Sequence, residues 1–102
     1  MIIAVDFDGT LVNGETPING AREAINILRE EGHTIVIHSC NKPKWIERVL
    51  RNADIRYDYI HEGTSKPAVD CYLDNRSLTF ENWSKALNDI RKLEAQSGRF
   101  KD

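Results

Sequence analysis

The stretch IIAVDFDGT, residues 2–10, joins an apolar run to two carboxylates one residue apart, Asp6 and Asp8, and then to Gly9-Thr10. The run over 2–6 does not alternate apolar with polar residues. That reads as a strand buried on both faces, the pattern of a parallel sheet. Two acids at the end of a buried strand repel one another and raise each other's pKa unless a positive charge answers them. The strand therefore sets the fold class, and the acids set the question of chemistry.

Downstream, residues 20–31 (GAREAINILREE) place Ala21, Ala24, Ile25 and Leu28 at helical spacing, and Gly32 follows as a stop. A second buried strand is read over 33–38. Asn41 is a good helix-capping residue type and Pro43 fits a first turn, so a helix is expected through KWIERVLRNA, burying Trp45 or Ile46, Val49 and Leu50. A weaker strand is read near 57–60 and a fourth near 69–73, and a last helix over about 80–96 aligns Phe80, Trp83, Leu87, Ile90 and Leu93.

Strands alternating with helices of this length predict βαβ units and a parallel sheet. The expected fold is α/β: a Rossmann-like, doubly wound sheet of about four strands in the order 4-1-2-3, with three helices, in a three-layer sandwich. The crevice then falls between the carboxyl ends of strands 1 and 4, where open α/β sheets bind ligands. Asp6 and Asp8 end one of these strands and Asp74 the other.

Composition bounds the rest. A chain of 102 residues is one domain, and 40% hydrophobic with 29% charged residues is the composition of a folded one. A net charge of -2 offers no bulk attraction for nucleic acid. No apolar run approaches a membrane span, so no membrane partner is expected. Two cysteines, Cys40 and Cys71, without a secretory leader read as reduced thiols of a cytoplasmic protein. Cys71 is expected in the core, and Cys40 as a small packed residue. Asp58 and Asp70 fall near strand beginnings and read as surface acids, and the three histidines show no metal spacing.

The three acids of the crevice suit a hard divalent cation such as Mg²⁺, which takes one or two carboxylates with water and substrate phosphate. DFDGTL resembles the first motif of the haloacid dehalogenase superfamily of phosphohydrolases, D-x-D-x-[TV] after a hydrophobic strand. Ser39, Lys66 and the pair Asp74-Asn75 match its other three motifs in order, although the second acid of the last pair is here an amide.

The resemblance implies a phosphatase that forms an aspartyl-phosphate on Asp6, with Asp8 as general acid and base. It implies a metal site of Asp6, Asp8 (through its backbone carbonyl) and Asp74, with Asn75 reaching the metal through water. Ser39 and the backbone N–H groups of Cys40 and Asn41 would hold the phosphoryl group at a helix start. Gly9 and Thr10 border that cradle, and Lys66 would neutralise charge on nucleophile and phosphate.

Residues 12–19 and 41–65 are too short to house the cap domain of many relatives, so a single capless core over 1–102 is expected. An open site admits a bulky phosphorylated substrate, a macromolecule included, and oligomerisation is another way to supply a lid. Residues 12–19 are expected as a short flap. The competing reading is a catalytically weak phosphate-binding or regulatory module of the same fold. A receiver domain needs an acceptor Asp ending the third strand, which YIHEG lacks, and a dehalogenase usually lacks the second acid, present here as Asp8.

Overall fold

A computed structural model describes residues 1–62, 68–73 and 81–98. The expected positions Lys66, Asp74, Asn75 and Phe80 lie outside the described residues. The elements in chain order are β1 (Ile2–Asp6), β2 (Val12–Asn13), β3 (Thr16–Pro17), α1 (Ala21–Glu30), β4 (Thr34–His38), α2 (Pro43–Asn52), β5 (Tyr59–His61), β6 (Cys71–Leu73) and α3 (Trp83–Gly98). The main sheet runs β5-β4-β1-β6, the order expected from the sequence, and every pairing in it is parallel.

The pleat explains the non-alternating strands. Ile3, Val5, Ile35, Ile37 and Leu73 join one buried cluster with Ala21, Ala24, Ile25 and Leu28 of α1, Ile46, Val49 and Leu50 of α2, and Trp83, Ala86 and Ile90 of α3. Ala4 and Val36, which alternate with them, are buried as well, so the middles of β1 and β4 are covered on both faces. All three helices contribute to this cluster. No described helix is long and apolar enough to cross a membrane.

Asp58 and Asp70 close the amino end of the sheet in the same way. The Ile35 N–H donates to Asp58 Oδ2 at 2.7 Å while the Asp58 N–H donates to the Ile35 carbonyl at 2.9 Å. Ile2 and Asp70 repeat the exchange at 2.6 and 2.8 Å. Both acids are exposed, as expected, and each answers a strand-start donor that the ladder leaves open.

Both βα-unit helices end in Schellman turns. After α1, the N–H groups of Gly32 and His33 reach the carbonyls of Arg29 and Leu28 at 3.1 and 3.0 Å, with Gly32 at φ 94°. After α2, Asp54 and Ile55 repeat the pattern on Arg51 and Leu50, but the left-handed residue is Asp54, at φ 55°. Its carboxylate is largely exposed and meets Arg22 only at 3.9 Å, a weak pair. Asp54→Gly removes the Cβ strain, and a gain of about 0.5–1 kcal/mol is expected. Urea unfolding checks it: the midpoint should rise, and an unchanged midpoint would show that Asp54 sits there without strain.

Candidate active site

β1 ends on Asp6, in register with His38 at the end of β4, which in turn pairs with His61 of β5. The two imidazole rings lie 6.0 Å apart. Ladder register thus places both histidines in one row with Asp6 at the carboxyl end of the sheet. Sequence spacing alone did not reveal that row, because a shared rung is a property of strand pairing. Asp6 is half-buried, and its Oδ1 accepts the Phe7 N–H at 3.1 Å.

The chain then leaves the sheet in a tight loop. The Phe7 carbonyl accepts the N–H groups of Leu11 and Val12 at 3.1 and 3.2 Å, and the Gly9 N–H donates to the Val12 carbonyl at 2.8 Å. Gly9 stands at φ 79°, the left-handed region that glycine enters without a Cβ clash. Phe7, Leu11 and Val12 are buried and anchor this loop, while Asp8 and Gly9 are exposed above it. The short hairpin of β2 and β3 follows, with Gly14 at φ 63° in its turn; it occupies the stretch expected as a flap.

Thr10 is only 4% exposed, and its carbonyl accepts the Trp83 Nε1–H at 2.9 Å. Burial and this hydrogen bond anchor Thr10 in the loop.

The second wall comes from the end of β4. Ser39 is half-buried and Cys40 is exposed, not packed as expected, because the chain has already left the sheet there. Ser39 Oγ accepts the Asn41 N–H at 3.1 Å. Asn41 is not the cap of α2. Lys42 holds that place, without a side-chain capping bond, and Pro43 begins the helix. The Asn41 side chain has instead crossed to the first loop, where its Nδ2 donates to Asp8 Oδ2 at 2.6 Å. Asp6, Asp8, Ser39 and Asn41 therefore share one end of the sheet, beside the amino end of α2.

An open cavity of about 290 Å³ adjoins them, bounded by Ser39, Cys40, Asn41 and Pro43 on one side and Ile60, His61 and Glu62 on the other. A larger hollow of about 550 Å³ lies at the opposite end of the sheet among Arg29, His33, Arg56 and Asp58. Its Arg29 and Asp58 pair with one another at 3.3 Å, and it sits at the amino ends of the strands, where parallel sheets do not build their sites.

The donors expected for a cation are all oxygens. Asp6 and Asp8 are described and Asp74 is not, and among the described residues no group of three His, Cys, Asp or Glu side chains is assembled to hold a metal. Asp74 follows Leu73 in sequence, and the pairing Val5↔Leu73 is the last described rung between β1 and β6.

A solved structure of a conserved protein from Bacteroides thetaiotaomicron aligns over 100% of this chain and 98% of its own, with a TM-score of 0.74 at 23% identity, a likeness of fold. No curated protein matches. The sequence profile described as haloacid dehalogenase-like hydrolase matches residues 3–77, spanning β1, the loop acids, Ser39 and β6. The chain belongs to the haloacid dehalogenase-like hydrolases.

Proposed function

We propose that this hydrolase is a Mg²⁺-dependent phosphatase that cleaves a phosphate monoester through an aspartyl-phosphate on Asp6. The observation that carries the reading is the meeting of Asp6, Asp8 and Ser39 at the carboxyl ends of two adjacent parallel strands. An Asp6 carboxylate oxygen attacks phosphorus as the bond to the leaving oxygen breaks. Asp8 gives its proton to that oxygen and is left as a carboxylate. Asp8 then takes a proton from water, whose oxygen attacks phosphorus and releases Asp6 and phosphate.

Ser39 lies at the end of β4 beside the amino end of α2, a place suited to phosphoryl oxygens. Its hydroxyl oxygen accepts from Asn41, which leaves its own proton to donate. Lys66 is assigned to charge neutralisation on the nucleophile and the transferring group. The donor chemistry fits Mg²⁺: the Asp6 carboxylate and the Asp8 carbonyl are hard oxygens, Asp74 would be the third ligand, and Asn75 would act through water. When bound, the cation supplies charge stabilisation for the phosphoryl oxygens.

The single core is capless in this reading. The interval between Asp8 and α1 is taken by the hairpin, and α2 and β5 occupy much of that between Ser39 and Lys66. An uncovered site suits a bulky phosphorylated substrate. Turnover of p-nitrophenyl phosphate is expected with Mg²⁺, lost in EDTA and restored by added Mg²⁺. Tight binding of phosphate compounds without turnover on a broad ester panel would favour the binding-module reading instead.

A further inference from the structure

We propose that Asn41 is the positioning residue for Asp8, holding one of its carboxyl oxygens so that proton transfer takes place at the other. The proposal rests on the phosphatase reading above. Asp8 is exposed on a loop, and among the described residues Asn41 is a side-chain partner of its carboxylate. The Asn41 amide meets Oδ2 at 2.6 Å across a sequence separation of 33 residues. The donor there is the amide nitrogen, because an amide oxygen in that place would set two acceptors against each other.

Asn41 is itself held. Its backbone N–H is bonded to Ser39 Oγ at 3.1 Å, and Ser39 directly follows β4. The orientation of Asp8 is thus transmitted from the sheet through Ser39 and Asn41. A carbonyl oxygen accepts a hydrogen bond better than a hydroxyl oxygen does. The amide therefore favours Oδ2 as the carbonyl oxygen of protonated Asp8 and Oδ1 as the oxygen that carries the proton. In the first half-reaction that Oδ1–H bond breaks, the proton passes to the departing oxygen, and Asp8 remains as a carboxylate still held by Asn41.

A role exercised through the general acid has a particular kinetic mark. A leaving group that departs readily without a proton hardly needs Asp8, whereas a basic one depends on it. The test compares the native protein with Asn41→Ala and Asn41→Asp on aryl phosphates graded from p-nitrophenyl to phenyl. Asn41→Asp keeps the shape and removes the donor. For both variants kcat should fall a few-fold on p-nitrophenyl phosphate and roughly 10–100-fold on phenyl phosphate, part of the 10²–10⁴ that a positioned acid supplies. KM should move less than kcat.

The Asn41 side-chain amide of the native protein should also give a downfield, slowly exchanging proton by NMR, lost in Asp8→Ala. An unshifted amide, or an equal loss across the ester series, overturns the positioning role and leaves the phosphatase reading standing. Absence of native turnover on the whole series overturns both.

Discussion

Asp6→Asn is expected to bring turnover of p-nitrophenyl phosphate to background, a loss on the order of 10⁴-fold or more, without unfolding the protein. The two halves of that expectation have separate causes. An amide oxygen is a poor nucleophile toward phosphorus, so the covalent route closes. The fold does not suffer, because the amide has nearly the shape of the carboxylate. Among its contacts, the one to the Phe7 N–H at 3.1 Å needs only an acceptor, which the Asn carbonyl supplies. Stability should stay within about 1 kcal/mol of the native value. Thermal unfolding by circular dichroism measures it beside the rate. A variant that keeps a tenth of the native turnover would show that Asp6 is not the nucleophile. Asp8→Asn is the companion measurement, because its loss should grow with the basicity of the leaving group, which the loss in Asp6→Asn should not.

What could be read from the residues divides along the range of the interactions involved. The run over 2–6, the helical spacing of Ala21, Ala24, Ile25 and Leu28, and the stop at Gly32 are local patterns, and each forms the element it implies. Sheet order followed from connection rules applied to those elements. Asn41 shows where local reading ends. Its residue type is a good cap, and only the approach of a loop 33 residues away turns its amide to Asp8. Thr10 was read with the glycine before it as part of a phosphate cradle. The hold of the Trp83 indole, 73 residues on, upon its carbonyl could not be read from that stretch. The hairpin of β2 and β3 has two residues per strand, too few for alternation to register, so only a flap over 12–19 was legible. β5 begins at Tyr59, two residues later than the composition suggested, because Asp58 exchanges its hydrogen bonds with Ile35 just before it.

Trp83 is the residue whose truncation should cost the most stability, and the cost should reach the site. It is 3% exposed and opens α3 inside the main cluster. A Cβ built on Gly20, just before α1, would stand 3.5 Å from the Trp83 Cβ, so the two helix starts are in close contact. Trp83→Ala removes the indole and leaves a cavity, at an expected cost of about 3–5 kcal/mol. Against a total of roughly 5–15 kcal/mol for a domain, that leaves little margin. Tm should fall by more than about 12 °C for a chain of this size. Trp83→Phe separates packing from hydrogen bonding. It keeps much of the apolar volume but leaves the buried Thr10 carbonyl without the donor it now has at 2.9 Å, an expected cost of about 1–3 kcal/mol. Thr10 lies two residues beyond Asp8, in the loop that carries the acid. The Phe variant should therefore show faster amide exchange at Gly9–Leu11 than its loss of global stability accounts for, with kcat reduced and KM nearly unchanged. Equal stability of the Phe variant and the native protein would mean that the indole N–H contributes nothing at that carbonyl. A uniform rise in exchange across all strands would mean that Trp83 supports the fold as a whole and not this loop in particular.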